Sequence, residues 1–411
     1  MAGSESTIGA LLDETGGSIK TGPFGTKLKA SEYTATGVPV ISVGEVGFGR
    51  LRVHHDTPRV DETVSSRMPE FLLKAGDIVF GRKGAVERSA QVQPNEDGYF
   101  LGSDGIRIRL NVEECDPKFI SYQLQTTAHR SWMIQHAAGT TMPSLNEGII
   151  RRIPILLKPL AEQNAIAAVL GALDDKIELN RRMNATLEAM ARALFQSWFV
   201  DFDPVRAKLD GRPPAALDPA TAALFPDSFQ DSAVGHIPSG WRVMKVGEFI
   251  ERLPVGQKYE QKTVSPVGKV PVLDQGKSGV IGFHNNEPGV TATLDKPVAV
   301  FANHTCYMRL ITYSFSAIQN VLPFVGSGVD TFWVYYATEG RLSFSEYKGH
   351  WPDFVIQESA VPPRELTVAF GRLAKPLVAQ MRNNEEESRT LATLRDTLLP
   401  KLLSGELSVN H

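Results

Sequence analysis

One helical pattern is written twice in this chain, and the two copies lie 204 residues apart. The first copy begins at Pro159 with PLAEQNAIAAVLGALDDKIELN, and the second begins with PPRELTVAFGRLAKPLVAQMRN near the C-terminus. After this shift apolar residues coincide with apolar residues, as in Ile166 with Phe370, and Asn180 coincides with Asn384. The repeat predicts two copies of one unit, a globular segment followed by a long helix.

The first helical copy carries a narrow apolar seam that advances in alternating steps of four and three residues, which is typical of a coiled coil. The seam consists of Ile166, Leu170, Leu173, Ile177, Asn180, Asn184, Leu187, Ala191, Leu194 and Trp198. Antiparallel pairing of the two copies brings Asn180 and Asn384 together near mid-length, where one polar pair sets the register. The alternative is two amphipathic helices that each pack on their own domain.

The segments before the helices are rich in glycine and β-branched residues, with short runs such as GVPVISV and DIVF that predict strands. We therefore expect an α+β fold, with two globular domains of mixed, β-rich character separated by two long antiparallel coiled-coil helices. The expected segments are a first domain over 1–158, a helix over 159–201, a linker over 202–236, a second domain over 237–361 and a helix over 362–411.

Composition limits the class of protein. At 411 residues the chain is long enough for two or three domains, and its net charge of −3 includes no basic tail. A DNA-binding protein with this charge needs clustered cations or a partner that contacts the phosphates. Cys115 and Cys306 are the only cysteines, which excludes a disulfide framework. Because no apolar run is long enough to cross a bilayer, we expect a cytoplasmic location.

The sequence patterns that resemble enzyme motifs each lack a residue that the motif requires. QGKS at 275–278 resembles the end of a phosphate-binding loop, but Pro271 stands where that loop needs glycine. Asp353 and Glu358 have a spacing found in nucleases, but Ala360 stands where a lysine is needed. The chain also lacks an amino-methyltransferase signature and metal-ligand spacing. We therefore expect a non-catalytic protein without a metal or cofactor of its own.

The repeated order of motifs resembles the specificity subunit of type I restriction–modification systems, over essentially the whole chain. The resemblance is carried by PLAEQNAIAAVLGALDDKIELN, ALFQSWFVDFDPVRAK, LRDTLLPKLLSGEL, IKTGPFGTKLKASEY, LKAGDIVFGRKGAVERSA and GTTMPSLN. It implies two target-recognition domains that bind a split sequence in double-stranded DNA. It also implies two methyltransferase subunits and additional restriction subunits as partners, with S-adenosylmethionine, ATP and magnesium bound by those partners.

Candidate DNA contacts in the first domain lie in three loops. The loop over 20–29 contains three lysines and no acid, and glycine there allows the backbone N–H groups to approach a phosphate. The alternative is a basic surface turn without a ligand. Arg82 and Lys83 follow DIVF, and their long side chains suit contact with guanine or phosphate. Short hydrogen-bonding residues surround Pro143, and they either read base edges or cap the following turn. The candidates are Lys20, Thr21, Gly22, Phe24, Gly25, Lys27, Lys29, Arg82, Lys83, Thr140, Thr141, Ser144 and Asn146.

Matching the repeats predicts the corresponding loops of the second domain, although GPFG has no counterpart there and VGQKYEQKTV occupies the region. The candidates are Lys258, Lys262, Lys277, Asn303, His304, Thr305, Lys348, His350 and Trp351. Helices about 60 Å long place the two half-sites within about 18 base pairs of each other. The main alternative is a structural adaptor that assembles partners through its coiled coil without reading bases.

Overall fold

The computed structural model describes residues 4–24, 27–276 and 279–409. The chain divides into two compact units, Met1–Leu179 with Glu387–His411, and Asn180–Glu386. The helices are α1 Ile8–Thr15, α2 Glu62–Arg67, α3 Pro117–Leu124, α4 Thr127–His136, α5 Glu147–Arg151, α6 Leu160–Phe199, α7 Asp203–Leu209, α8 Pro219–Ala223, α9 Val246–Phe249, α10 Thr331–Thr338, α11 Trp351–Val355 and α12 Arg364–Ser404. Each unit contains a β-rich domain and part of both long helices, α6 and α12.

The strands of the first unit are β1 Ser4–Thr7, β2 Ser18–Thr21, β3 Tyr33–Thr34, β4 Val38–Ile41, β5 Gly49–Arg50, β6 Arg59–Val60, β7 Ile78–Gly81, β8 Ser89–Gln91, β9 Phe100–Leu101, β10 Gly105–Arg109 and β11 Pro154–Leu157. The main sheet has the order β2-β10-β7-β8-β5, and β10 is antiparallel to both β2 and β7. A second sheet has the order β3-β6-β4-β9, in which β4 and β9 are parallel.

The strands of the second unit are β12 Phe229–Ser232, β13 Gly235–Pro238, β14 Arg242–Lys245, β15 Ile250–Arg252, β16 Val270–Leu273, β17 Val280–His284, β18 Val298–Ala302, β19 Met308–Ile311, β20 Ser316–Ala317, β21 Val321–Gly326 and β22 Glu358–Val361. Its main sheet has the order β15-β21-β18-β19, the same connectivity as β2-β10-β7-β8. The parallel pair β16–β20 repeats β4–β9, and the antiparallel pair β14–β22 repeats β1–β11. The duplication inferred from the sequence is therefore a duplication of topology.

An apolar residue followed by glycine begins both α1 (Ile8 and Gly9) and α9 (Val246 and Gly247), and the glycine has a packing role. A Cβ on Gly9 would lie 2.9 Å from the carbonyl oxygen of Arg151, the last residue of α5. A Cβ on Gly247 would lie 3.2 Å from Cβ of Val355, the last residue of α11. The absence of a side chain at these two positions therefore lets the first helix of each domain pack closely on its last short helix.

The two long helices are antiparallel within each unit. In the first unit α6 and α12 are joined by ion pairs of Asp174 with Arg395 at 2.6 Å and of Lys176 with Glu387 at 3.2 Å. In the second unit the rings of Trp198 and Phe370 lie 6.4 Å apart at the opposite end of α6. The predicted fold class is confirmed. In the part of the chain that the structure describes, no helix combines the length and apolar character required to cross a membrane.

The segment 202–236, predicted to be a linker, instead contains α7, α8 and the β12–β13 hairpin. Its prolines do not interrupt these helices, because Pro204 and Pro219 stand at helix N-termini, where the missing N–H leaves no hydrogen bond unmade. Phe225 from this segment is buried, and its ring lies 5.2 Å from that of Trp198. The segment therefore contributes residues to the core of the second unit.

Candidate nucleic-acid interface

Three loops of the first unit meet at the turn that follows β7. The backbone N–H of Arg82 donates to the Asp104 carbonyl at 2.9 Å, and the N–H of Leu145 donates to the Arg82 carbonyl at 2.8 Å. The N–H of Gly84 donates to the Pro143 carbonyl at 2.9 Å. The turn over 82–84 is therefore held between the β9–β10 turn and the segment before α5, and two of the predicted loops become neighbours.

The side chain of Arg82 is ordered by several contacts. Its guanidinium carbon lies 4.3 Å from the centre of the Phe24 ring, an exposed aromatic side chain, and Nη1 donates to the Ser103 carbonyl at 3.2 Å. The carboxylate of Asp104 lies 3.9 Å from Arg82 and 3.6 Å from Lys83. The structure thus brings Phe24, Arg82 and Lys83 together around an acidic residue.

The lysines of the loop over 20–29 are partly or fully exposed. The Nζ atoms of Lys20 and Lys27 lie 5.2 and 5.7 Å from the centre of the Phe71 ring, and Lys29 is exposed at the start of a 3₁₀ turn. Two cations over one ring form a positive patch that suits phosphate contact. These three lysines remain candidates for contacts to the DNA backbone.

Thr21 and Gly22 have structural roles that differ from their predicted roles as phosphate contacts. The N–H and hydroxyl of Thr21 both donate to Oε1 of Glu147, at 2.9 and 2.8 Å. The N–H of Gly22 donates to Gly105 at 3.0 Å, and a Cβ on Gly22 would lie 1.8 Å from the Gly102 carbonyl oxygen. The expectation of a free N–H at Gly22 is wrong, because strand packing uses this group. Gly25 lies outside the described residues.

The segment before α5 divides into exposed and structural residues. Thr140 and Thr141 are exposed, which keeps them available as candidates. Ser144 donates from Oγ to the Ala138 carbonyl at 3.2 Å, and its backbone pairs with the same residue. Oδ1 of Asn146 accepts from the N–H of Ile149 at 2.9 Å, which caps α5. Of the two interpretations of Asn146, the structure favours capping.

The second unit holds the corresponding turn, after β18, in the same way. The N–H of Asn303 donates to the Asn320 carbonyl at 2.9 Å, and the N–H of His350 donates to the Asn303 carbonyl at 2.9 Å. These bonds repeat those of Arg82 with Asp104 and of Leu145 with Arg82. Position 82 therefore corresponds to 303, and position 104 to 320. The sequence match of DIVFGRKGA (77–85) with PVAVFANHT (297–305) finds the same turn but pairs Arg82 with Ala302, so the structure shifts it by one residue.

Most predicted side chains of the second turn are used within the protein. Oδ1 of Asn303 accepts from the Trp351 N–H at 2.8 Å, and Thr305 donates to the Gln275 carbonyl at 2.6 Å. His350 is 1 % exposed and contacts the Glu346 carbonyl at 3.1 Å. The expectation that Asn303 and His350 face DNA is therefore corrected. The Asn303 side chain ties the turn to the start of α11, and the His350 side chain is buried within the segment before α11. The ring of Trp351 packs 5.4 Å from that of Phe354 and is half-buried.

His304 is half-buried and Lys348 is exposed, so both side chains reach the surface. The His304 ring stacks on Tyr347, which is 84 % exposed, with the ring centres 5.0 Å apart. Nδ1 of His304 lies 2.8 Å from the Lys348 carbonyl oxygen. Hydrogen bonds to Glu346 and then to Asp353 raise the pKa of the exposed Lys348 ammonium. This amine is therefore charged at neutral pH but shares its charge with two carboxylates.

Lys258 and Lys262 lie in a separate loop. Both are exposed, and the backbone of Lys258 pairs with Ala317 beside β20. Lys262 lies in the 3₁₀ turn Gln261–Thr263, whose first residue donates a side-chain hydrogen bond to Ile281 of β17 at 3.4 Å. Lys277 lies outside the described residues.

Asp104 and Tyr347 were missed by the sequence reasoning. Asp104 reaches Arg82 through the pairing of β10 with β7, which motif spacing does not encode. Tyr347 stood next to the candidate Lys348, and its position in a loop of polar residues was an available signal. In residues 4–24, 27–276 and 279–409, no group of three or more His, Cys, Asp or Glu side chains is placed to hold a metal ion.

Comparisons with known proteins give one consistent family. Residues 22–189 match the family described as "Type I restriction modification DNA specificity domain". The chain is 24 % identical to the HindI specificity subunit of Haemophilus influenzae, over 82 % of this chain and 87 % of that one. It is 23 % identical to the MjaIX specificity subunit of Methanocaldococcus jannaschii, over 75 % of this chain and 73 % of that one. The fold is similar to that of the crystal structure of the type I S subunit from M. genitalium, with a TM-score of 0.57, 16 % identity and coverage of 97 and 95 %.

Proposed function

Since this chain belongs to the family of type I restriction–modification specificity subunits, we propose that it selects a bipartite target in double-stranded DNA. The first unit contacts one half of the target, and the second unit contacts the other half. In this role the chain supplies recognition, and it directs methyltransferase and restriction subunits to the selected sequence. In this role its side chains perform no bond-breaking or bond-forming step.

The observation that carries this proposal is the repeated turn after the central strand of each domain. Backbone hydrogen bonds hold Arg82 between Asp104 and Leu145, and they hold Asn303 between Asn320 and His350 in the same way. A rigid backbone that presents different side chains is the arrangement expected of two readers of different sequences. The protein thus has the same scaffold twice and two different reading surfaces.

The side chains around the two turns differ in chemistry. The first turn presents two cations, Arg82 and Lys83, beside the exposed ring of Phe24. The second presents the imidazole of His304 stacked on Tyr347. A guanidinium and an imidazole differ in their hydrogen-bonding groups, so they match different patterns of donors and acceptors on base edges. The two half-sites are therefore expected to have unrelated sequences.

We further propose that the long helices bind two methyltransferase subunits. Two positions of the repeat are apolar and exposed in both copies: Val169 with Leu373, and Met190 with Leu394. Each unit carries one member of each pair, because Val169 and Leu394 belong to the first unit and the others to the second. A repeated exposed apolar surface suits two copies of one partner. Because the net charge of this chain is −3, those partners are proposed to supply much of the contact to the DNA phosphates.

The proposed division of labour places the cofactors in the partner subunits. S-adenosylmethionine would bind to the methyltransferase subunits, and ATP and magnesium to the restriction subunits. The chain would then contribute sequence selection alone. Methylation by the assembled complex should require this chain, and the isolated chain should transfer no methyl group from S-adenosylmethionine.

Mapping methylated adenines in the source genome, with and without this gene, tests the proposed function. We expect a motif of two short sequences separated by several unread base pairs, and we expect its methylation to be lost when the gene is deleted. The competing role is an adaptor that assembles partners without reading bases. In that case the complex would still form, but it would protect no particular sequence in a footprinting experiment.

A further inference from the structure

Arg82 and Asp104 form a pair of opposite charge at the surface of the first unit. The Arg82 N–H donates to the Asp104 carbonyl at 2.9 Å, so the backbone positions of the two residues are coupled. Their side chains are 23 and 37 % exposed, and the closest charged atoms are 3.9 Å apart. Two side chains of opposite charge are therefore presented to solvent from one rigid point of the loop cluster.

The Arg82 side chain is ordered without using its full hydrogen-bonding capacity. The Phe24 ring supports the guanidinium at 4.3 Å, and the Ser103 carbonyl accepts one hydrogen bond, from Nη1. A guanidinium carries five N–H donors in a planar fork. Because the Phe24 ring and the Ser103 carbonyl already order the Arg82 side chain, binding would cost less conformational entropy. The other guanidinium N–H groups remain as donors for a ligand. The commonest specific base contact of such a fork is to O6 and N7 of guanine.

The Asp104 carboxylate indicates that the surface around Arg82 faces bases rather than phosphates. Its separations from Arg82 and Lys83, 3.9 and 3.6 Å, exceed the about 2.7–2.9 Å of a charge-assisted hydrogen bond. Its oxygens therefore keep acceptor capacity toward a ligand. A carboxylate next to a phosphate is repelled, whereas the N4 amine of cytosine is a donor that Asp and Glu accept from in the major groove.

We infer that Arg82 and Asp104 together read a G·C base pair through the major groove, with Arg82 donating to guanine and Asp104 accepting from cytosine. Phe24 is a positioning residue that supports the guanidinium. This inference rests on the proposed function, and it names the base pair that one surface of the first unit selects.

The second unit contains a different pair at the corresponding positions. Asn303 replaces Arg82 and Asn320 replaces Asp104 in the repeated backbone hydrogen bond. Oδ1 of Asn303 already accepts from the Trp351 N–H at 2.8 Å. The charged pair is therefore specific to the first unit, and the G·C position belongs to one half-site only.

The test uses the complex assembled with its methyltransferase subunits and a panel of duplexes in which each base pair of the mapped motif is varied. Arg82→Lys removes the planar fork, and Asp104→Asn converts an acceptor into a group that also donates. Both variants should lose about 10- to 100-fold in discrimination at the same G·C pair of one half-site. Recognition of the other half-site should be unchanged. Asp13→Asn, which alters an exposed ion pair with Arg151 in the same unit, is the matched control and should leave discrimination unchanged.

A second measurement does not depend on a variant protein. In wild-type complex, 7-deazaguanine at the assigned guanine removes the N7 acceptor and should weaken binding, whereas the same substitution at guanines outside the motif should not. The inference is overturned if both variants keep the wild-type preference at every position, or if the altered position is an A·T pair. A wild-type complex that prefers no sequence at all would instead refute the proposed function, and the inference with it.

Discussion

Asn180 of α6 donates an amide hydrogen bond to the backbone carbonyl of Asn384 of α12, with a nitrogen–oxygen distance of 3.3 Å. Both side chains are almost fully buried, at 1 and 2 % exposed. Asn184 joins them, since it accepts from Nδ2 of Asn384 at 2.7 Å and donates to the Met381 carbonyl at 3.0 Å. The polar layer that the repeat predicted as a pair is therefore a network that contains three asparagines, and Gln380 donates to Oδ1 of Asn384 at 2.8 Å.

Leucine substitutions in this layer should have opposite effects, depending on how many are made. Asn384→Leu alone removes the donor to Asn184 and should lower the free energy of unfolding by about 1–3 kcal/mol. Leucine at positions 180 and 384 together should raise the thermal midpoint but loosen the helix register. Leucine at 180, 184 and 384 should have the same two effects to a larger extent, because it replaces all three asparagines. Circular dichroism melts and hydrogen exchange would measure the two effects. A neutral Asn384→Leu variant would contradict the buried network.

Substitutions in the two turns should alter separate halves of the DNA target. Arg82→Ala should relax recognition of one half-site, by about 1–3 kcal/mol for the base that it contacts. His304→Ala should affect only the other half-site. Methylation mapping with each variant complex would report the half that changes. Uniform weakening at both halves would indicate a folding defect instead of a lost base contact.

Helix length is predicted to set the spacing of the target. One heptad added to both α6 and α12, at facing positions beside Asn180 and Asn384, preserves the seam and lengthens each helix by about 10 Å. The unread gap in the methylated motif should then widen by roughly three base pairs. An unchanged gap would refute the spacer role. A heptad added to α6 alone should mismatch the seams and lower the thermal midpoint.

A substitution at Gly22 distinguishes two roles for this residue, close packing against Gly102 and contact with a DNA phosphate. A Cβ at this position would lie 1.8 Å from the Gly102 carbonyl oxygen, so Gly22→Ala should destabilise the protein by about 1–3 kcal/mol. Gly44→Ala is the matched control, because its Cβ would meet no atom within 4 Å. Urea denaturation would compare the two variants. A Gly22→Ala protein with normal stability and weakened DNA binding would restore the phosphate interpretation.

The two cysteines should be unreactive in the native protein. Burial raises the pKa of the Cys115 thiol to about 12, and burial also raises the pKa of Cys306. Since the thiolate is the reactive form, alkylation at pH 8 should be slow for both until the chain is unfolded in urea. Ser66→Cys, at an exposed position, should be labelled at once and serves as the control. Rapid native labelling of Cys115 would contradict its place in the core.

The order of elements and the long helices were predictable because helical periodicity and strand-like runs are local properties of the sequence. The seam over 166–198 predicted α6 Leu160–Phe199, and the repeat of 204 residues predicted its partner, α12. The matched motifs also identified the turns after β7 and β18 as equivalent. The prolines of 202–236 wrongly predicted a linker, since the effect of a proline depends on whether it stands at a helix start or inside a helix.

The composition of the site was decided by tertiary structure. Thr21 meets Glu147 across 126 residues of sequence, and Asp104 meets Arg82 because strand pairing brings their turns together. Whether a hydroxyl, an amide or a glycine N–H is free for DNA depends on which distant group already uses it. The sequence alone determined that the chain contains two similar domains and a helical pair. Long-range hydrogen bonding decided which candidate side chains each domain presents, because it satisfied some candidates internally and left others exposed.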